Sequence, residues 1–215
     1  MGGRQLRASP AFGAVPSRCV MADWLAGRRG EVAADLILDA ADALFARKDA
    51  ATVGMHEIAA AAGCSRATLY RYFENRDALY TAYVHREARR VYQEVSDQVV
   101  GIGDPAERLM EGVITALRAV RCSPALSSWF AATQRPIGGE MAEHSEVIRA
   151  LVEGFVRSLG SPTDADDDAA VGRRARWLVR VMVSLLVFPG VDEADERTML
   201  ADFVAPLVVG AQAAQ

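Results

Sequence analysis

Hydroxyl and guanidinium side chains share one face of a predicted helix over residues 65–73. With Leu69 and Phe73 pointing inward at helical spacing, Ala67 and Arg71 fall on the opposite face. A guanidinium can donate two hydrogen bonds to the O6 and N7 atoms of guanine, and hydroxyl groups can donate to phosphate oxygens. The outer face of this helix is therefore suited to binding duplex DNA.

Each side chain on this face has an expected role. Arg66, at the helix start, can reach guanine, and Ala67 is small enough to approach the base edges or to touch a thymine methyl group. Arg76, in the first turn of the next helix, adds an expected phosphate contact. The hydroxyl groups that can donate to phosphates are those of Ser65, Thr68, Tyr70 and Tyr72.

A helix-turn-helix would position this face. A short helix at residues 54–63 ends at Gly63, which suits the left-handed turn after a helix, and Ser65 can cap the helix that follows. Backbone N–H groups at the start of the short helix, near Met55 and His56, can bind phosphate. The alternative is a plain surface helix with a cation at each end. The turn glycine and the cap favour a helix-turn-helix, whose second helix enters the major groove.

The composition predicts an all-α protein. Hydrophobic residues make up 51% of the 215 residues and aromatic residues only 7%, with few of the β-branched and aromatic runs that strands favour. Basic residues are in excess up to residue 90 and acidic residues after it, so the DNA-binding chemistry belongs to the first part. The three cysteines are far apart and fit neither a disulfide framework nor a zinc site. We therefore expect no metal, no cofactor, no membrane span and a cytoplasmic location.

Periodicity and caps predict about nine helices. Residues 1–28 are assigned to a disordered extension, and Pro206 predicts a kink or early end in the last helix. The helices are expected at about residues 29–48, 54–63, 65–73 and 75–100, from residue 104, from residue 123, and at 139–159, 165–188 and 192–209, with a loop at 135–139 and an acidic link at 161–168.

The second half of the chain contains a candidate ligand site. His144 shares its helical spacing with Met141 and Ile148, so we expect it to face the interior. It would be a hydrogen-bonded core histidine, a polar contact to a ligand, or a metal ligand together with Glu140. Arg180 lies in an apolar run and is expected to meet an acid across a dimer interface or a ligand carboxylate. The candidate ligand-binding residues are Trp129, Phe130, His144, Ile148, Phe155, Trp177 and Arg180.

Residues 58–80, IAAAAGCSRATLYRYFENRDALY, resemble the DNA-binding motif of the tetracycline-repressor (TetR) family, and the resemblance continues upstream in ILDAADALFA at residues 37–46. It implies an all-α homodimer with a three-helix helix-turn-helix domain at residues 29–80. A long helix would join this domain to a ligand-binding and dimerisation bundle at residues 81–215, and predicted helices eight and nine would form the dimer. The DNA-contacting positions that the resemblance implies are Met55, His56, Ser65, Arg66, Ala67, Thr68, Tyr70, Arg71, Tyr72 and Arg76.

The expected function is that of a transcriptional regulator. Its partners would be double-stranded operator DNA and a small, largely apolar inducer. The predicted function is that of a repressor that releases a palindromic operator when the inducer binds. Two alternatives stay open. One is a constitutive architectural DNA binder, whose C-terminal core would be fully packed. The other is a small-molecule enzyme, for which the sequence shows no catalytic motif.

Overall fold

The computed structural model describes residues 17–130, 137–160 and 168–209, and within these ranges the chain is all-α, as the composition predicts. A short 3-10 turn at Ala50–Thr52 follows the first helix. The α-helices are α1 Ser17–Phe45, α2 Met55–Ala61, α3 Arg66–Tyr72, α4 Arg76–Gln98, α5 Pro105–Cys122, α6 Pro124–Phe130, α7 Ile137–His144, α8 Glu146–Ser158, α9 Asp168–Val187, α10 Glu193–Phe203 and α11 Ala205–Val208.

Side-chain caps fix where many of these helices begin. Ser65 Oγ accepts a hydrogen bond from the Thr68 N–H at 3.0 Å and starts α3. Further caps of this kind stand at Asn75, Asp104 and Asp192, before α4, α5 and α10. Each cap satisfies a backbone donor that the first helical turn leaves without a partner. The turn between α2 and α3 has Gly63 at φ 65°, the left-handed conformation that the sequence predicts there.

Three boundaries differ from the sequence-based expectation. Helix α1 begins at Ser17, so part of the segment assigned to a disordered extension is helical, while residues 1–16 lie outside the described ranges. Residues 137–139, expected in a loop, belong to α7. The single helix expected at 139–159 is two helices, because Ser145 Oγ accepts from the Ile148 N–H at 3.1 Å and starts α8 anew.

The expectations for the acidic link and for the last helix can be compared with the structure in part. Most of the expected acidic link, residues 161–167, lies outside the described residues. The last predicted helix is interrupted at Val204, just before Pro206, as expected from the missing N–H of proline. No helix in the described ranges combines the length and the apolar character needed to span a membrane.

The buried side chains form two cores that share helices. The first core contains residues of α1, α2, α3, the start of α4, and α6. The second contains residues of the later part of α4, α5, α8, α9, α10 and α11. Helix α4 therefore contributes to both cores, and α6 packs on the first core although it follows α5 in the chain.

An ion pair between a partly exposed arginine and a buried carboxylate joins α5 to α10. Arg121 donates to both carboxylate oxygens of Glu196, at 2.8 and 2.6 Å, and also to the Leu185 carbonyl at 2.9 Å. Glu196 is 1% exposed and accepts a further bond from the Gly190 N–H at 3.0 Å. The hydrogen bond from Arg121 lowers the pKa of Glu196, so the carboxylate stays charged at neutral pH.

We expect Glu196→Ala to lower the free energy of unfolding by about 2–3 kcal/mol at pH 7, because it leaves the Arg121 guanidinium and the Gly190 N–H without their acceptor. The pKa of Glu196 is lower in the folded state than in the unfolded chain. The ion pair therefore stabilises the folded state fully when the pH is above the unfolded-state pKa, and this stabilisation is lost as the pH falls through the folded-state pKa. The gap between wild type and variant should therefore narrow below about pH 4. Urea unfolding at one protein concentration measures both effects.

The matched control is Glu193→Ala on the same helix. Glu193 pairs with Arg118 at 2.9 Å, but both side chains are about half exposed, so its loss should leave the urea midpoint nearly unchanged. Equal shifts in the two variants would contradict the assigned role of the buried pair.

Candidate DNA-binding surface and ligand cavity

Helix α3 presents the outer face that the spacing predicts. Leu69 and Phe73 are buried in the first core, whereas Arg66, Ala67 and Arg71 are exposed. Tyr70 is exposed as well. The Ser65 and Thr68 hydroxyl groups share a hydrogen bond of 2.9 Å at the start of the helix. One side of α3 is thus fixed to the protein, and the other is free to enter a groove of DNA.

Tyr72 and Arg71 contact each other on the flank of α3. The Tyr72 hydroxyl accepts a bond from Arg71 Nη2 at 3.3 Å, and the guanidinium lies 5.1 Å from the centre of the Tyr72 ring. Tyr72 is half-buried, and its ring edge lies beside Gly30 of α1. Arg71 remains exposed, so it can reach a phosphate, whereas Tyr72 also serves to pack α3 on α1.

Arg76 donates to groups within the protein, and its expected phosphate contact stays a prediction. Its Nη2 donates to the Ala50 carbonyl at 3.1 Å, to the Ala51 carbonyl, and to the Tyr80 hydroxyl at 3.0 Å. The guanidinium also lies 4.8 Å from the centre of the Tyr80 ring. Arg76 therefore holds the 3-10 turn that precedes α2.

The Met55 side chain is buried in the first core, so the predicted contact with DNA is left to its backbone. His56, the next residue, is exposed. Gly54 caps α2 without a side chain, and the Glu57 carboxylate accepts from the Gly54 N–H at 3.1 Å. The hydrogen bond from Lys48, 2.6 Å long, lowers the pKa of Glu57. A Glu three residues after the cap is a known signature of this arrangement, so Glu57 could have been found in the sequence.

An apolar cavity of about 180 Å³ lies between α4 and the helices from α5 to α9. Four of the predicted ligand-binding residues line it, namely Trp129, Phe130, Ile148 and Phe155. The other lining residues are Val84, Glu87, Ala88, Val91, Tyr92, Val95, Gly112, Val113, Ala116, Val120, Leu126, Gly138, Ala142, Leu151, Val152, Leu178, Val179, Met182, Val183 and Leu186.

Three predicted ligand-binding residues are not part of the cavity lining. His144 is exposed, and its Nδ1 is 2.8 Å from the Glu140 carbonyl of its own helix. Trp177 is 46% exposed. Arg180 is exposed and its Nε donates to Glu143 at 3.1 Å, so it has an acid partner within the chain. The expectation that His144 faces the interior was wrong because it assumed one continuous helix, and the break before α8 changes which face His144 occupies.

Glu87 is a cavity residue that the sequence-based reasoning missed. It is 5% exposed and accepts from Arg86 Nε at 3.1 Å and from Arg90 Nη1 at 3.0 Å. Its position, one turn before Val91 and two turns before Val95, places it on the apolar face of α4. An acid at such a position in an amphipathic pattern was the available indication.

The cavity and the DNA-binding unit share a wall. Trp129 lines the cavity, and its ring stacks on Tyr83 of α4 with the ring centres 5.6 Å apart. The same indole lies edge-on to Phe45 of α1 at 5.3 Å and packs against Tyr80 at 5.3 Å. Trp129 is therefore a direct contact between the cavity and the aromatic core beneath the helix-turn-helix.

A helix-turn-helix with one exposed face, joined through a long helix to an all-helical unit, defines the class of helix-turn-helix transcriptional regulators. The family model for bacterial regulatory proteins of the tetR family matches residues 37–83. The chain is 59% identical to the HTH-type transcriptional regulator Rv1255c of Mycobacterium tuberculosis over 192 residues, covering 89% of this chain and 93% of the relative. The chain belongs to the TetR family of DNA-binding transcriptional regulators.

Solved structures show the same fold. The transcriptional repressor QsdR of R. erythropolis aligns with a TM-score of 0.62 at 18% identity, covering 86% of this chain and 98% of that one. The TetR family repressor AlkX of a Dietzia strain aligns with a TM-score of 0.60 at 23% identity, covering 80% and 93% of the two chains.

We expect Arg76→Met to lower the thermal midpoint by several degrees, because the carbonyls of Ala50 and Ala51 and the Tyr80 hydroxyl lose a charged donor. The same variant should leave the salt dependence of DNA binding unchanged, since its guanidinium is already bonded within the protein. The comparison variant is Arg71→Met, which should reduce the slope of log K against log salt by about 1. Fluorescence anisotropy on duplex DNA measures the slopes. A reduced slope in Arg76→Met would restore Arg76 as a phosphate contact.

Proposed function

We propose that this chain is a homodimeric repressor that releases a palindromic operator when a small, largely apolar effector occupies the cavity. The observation that supports it best is the position of Trp129, which lines the cavity and is packed into the core of the DNA-binding unit. An effector that contacts Trp129 can shift the aromatic core and α4 together. The effector must bind the DNA-free arrangement more tightly than the DNA-bound one for this to release the operator.

Helix α4 connects the recognition helix α3 to the cavity. It begins directly after α3, its first turns pack in the first core, and six of its residues line the cavity. A displacement of α4 by a ligand would move the recognition helix of each subunit. Because the two recognition helices of a dimer must lie about 34 Å apart to enter successive major grooves, a small change in their separation is sufficient to weaken binding.

An exposed apolar surface on the last helices supports the dimer. Monomeric proteins seldom expose such a surface unless it binds something. Arg180, expected to find its acid across the dimer, has Glu143 in its own chain instead, so the proposed interface depends on apolar burial. The exposed apolar residues in this region are Trp177, Phe188, Val191, Met199, Phe203 and Leu207.

The cavity also favours a ligand-responsive regulator over a constitutive architectural DNA binder. A protein without an effector gains stability from filling its core, because each unfilled space forfeits packing contacts. The apolar space between α4 and α9 is retained here. The structural neighbours QsdR and AlkX are both described as repressors, which agrees with repression as the mode of action.

We expect Arg66→Ala to weaken binding to the operator by about 1–3 kcal/mol and to relax the base preference at one position in each half-site. Arg66 is exposed at the start of α3, where its guanidinium can reach a guanine. Anisotropy titrations with duplexes from the region upstream of the gene, each with a single base changed, measure both effects. The control is Arg149→Ala on α8, which removes an exposed arginine far from α3 in the chain. Equal affinities for wild type and Arg66→Ala would place base recognition elsewhere.

We expect Ala116→Phe to abolish ligand binding while DNA binding persists, because Ala116 is buried in the cavity wall and a phenyl ring would occupy the space. Toluene serves as an apolar probe, and its binding should raise the thermal midpoint of wild type by mass action but not that of the variant. Ala150→Phe, at an exposed position on α8, is the size-matched control. Ala116→Leu tests the same idea with less volume if the larger ring impairs folding. A toluene shift in Ala116→Phe as large as that of wild type would contradict the cavity assignment.

A further inference from the structure

The wall of the cavity is hydrocarbon almost throughout. Among the described lining residues, Glu87, Tyr92 and Trp129 are the ones with a nitrogen or oxygen atom in the side chain, and almost none of the exposed wall is polar. The rest of the wall consists of aliphatic side chains, phenyl rings, a methionine and two glycines. A ligand inside the cavity therefore meets carbon on nearly every side.

Glu87 brings a charge to the wall, but that charge is neutralised within the protein. Its carboxylate oxygens accept from Arg86 Nε at 3.1 Å and from Arg90 Nη1 at 3.0 Å. Arg86 also donates to Asp39 of α1 at 2.8 Å, which holds its guanidinium in place. Because Glu87 is 5% exposed, its carboxylate serves these ion pairs and leaves little surface for a ligand.

The other two polar atoms add little to the cavity surface. The Trp129 indole nitrogen is buried and closed to solvent. The Tyr92 hydroxyl reaches α8, where a Cβ built on Gly154 would lie 3.8 Å from it. Burial of a hydroxyl or an amide without a hydrogen bond is unfavourable, and burial of a charge is more so. The wall therefore selects against ligands that carry a polar group into the cavity.

A phenyl ring seated on a glycine limits the cavity between α5 and α8. The tip of the Phe155 ring points at Gly112, where an added Cβ would lie 2.5 Å from Cζ. Both residues are buried and line the cavity. Carbon atoms pack at about 3.5–4.0 Å, so a methyl group at position 112 would push the ring by about 1 Å. Because the surrounding core is close-packed, the space open to the displaced ring is the cavity itself.

A second glycine holds a second ring in the same way. A Cβ built on Gly138 of α7 would lie 2.8 Å from Cζ of Phe130, and both residues line the cavity. Glycine destabilises the interior of a helix relative to alanine, and Gly112 lies in the middle of α5. These two glycines therefore keep volume in the cavity where alanine would favour the helix.

We propose that the effector is a hydrocarbon of about six to eight carbons, bound without a hydrogen bond, and that Gly112 and Gly138 set its size. The cavity volume of about 180 Å³ compares with roughly 150 Å³ for an apolar cavity that holds benzene. This inference rests on the proposed function and deepens it by assigning the chemistry of the effector and the residues that limit its size.

Calorimetry on the full-length protein compares two pairs of probes that match in size, ethylbenzene with benzyl alcohol and toluene with phenol. In each pair a methyl group is replaced by a hydroxyl group. Wild type should bind each hydrocarbon at least about tenfold more tightly than its partner, because the hydroxyl loses its bonds to water without replacement. A smaller ratio in either pair would overturn the proposal, as would hydrocarbon binding that persists in Ala116→Phe or is absent from wild type.

Glycine variants test the size limit. Gly112→Ala and Gly138→Ala should each reduce the affinity for ethylbenzene relative to benzene by about tenfold, because the displaced ring takes up the space of the ethyl group. Gly172→Ala in α9 is the matched control, since an added Cβ there makes an ordinary contact with Glu153 at 3.5 Å. An unchanged ratio in either cavity variant, or an equal change in Gly172→Ala, would overturn the assignment.

The double variant Gly112→Ala/Phe155→Leu separates the size limit from a loss of folding stability. Leucine lacks the ring tip that meets position 112, so the double variant should recover the wild-type preference for ethylbenzene over benzene. Gly138→Ala and the double variant carry the test if Gly112→Ala does not fold. A double variant that keeps the reduced preference would show that the Phe155 ring does not limit the cavity.

Operator binding in the presence of the probes distinguishes this inference from the proposed function. If ethylbenzene binds with the expected preference but leaves operator affinity unchanged, the hydrocarbon site stands and the effector mechanism fails. If a molecule with a polar group releases the operator and is blocked by Ala116→Phe, while neither hydrocarbon binds, the regulator stands and the hydrocarbon assignment fails.

Discussion

The packing of Trp129 against Phe45 and Tyr83 is the contact on which the rest of the structure depends. It seats α6, a helix that follows α5 in the chain, in the core of the helix-turn-helix. Offset and edge-on aromatic contacts of this kind are each worth about 0.5–1.5 kcal/mol beyond the burial of their area. The same indole lines the cavity, so one buried side chain contacts both the cavity and α4.

The contact of α4 with both the cavity and the DNA-binding unit accounts for a charged residue, Glu87, at a position where an ordinary core helix would be apolar. A helix that only packs between two units would carry an apolar residue at position 87. Glu87 instead brings a charge that must be compensated by Arg86 and Arg90, at a cost in desolvation. Natural sequences that place a charged residue where an apolar one would be more stable usually do so at functional positions. The Glu87 carboxylate stands where the cavity meets the DNA-binding unit.

The helix-turn-helix could be predicted because its determinants are local. The positive φ of Gly63, the Ser65 cap and the inward position of Leu69 each depend on a few neighbouring residues. The cavity residues could be predicted only in part, since the partners of Trp129 are distant in sequence. His144 was misplaced for a local reason, because the cap at Ser145 interrupts a pattern that the periodicity treats as continuous.

The arginines show why a count of positive charges along a sequence overstates the number of side chains that can bind DNA. Arg76 is directed to backbone carbonyls and Arg86 to two carboxylates, and both lie on α4 next to the recognition helix. A guanidinium that makes several bonds inside the protein gains little from exchanging them for a phosphate, because it must give up contacts of similar strength. On the outer face of α3, by contrast, Arg66 and Arg71 are both exposed. If sequence preference depends on this small surface, as we propose, a modest displacement of α4 is enough to change DNA affinity.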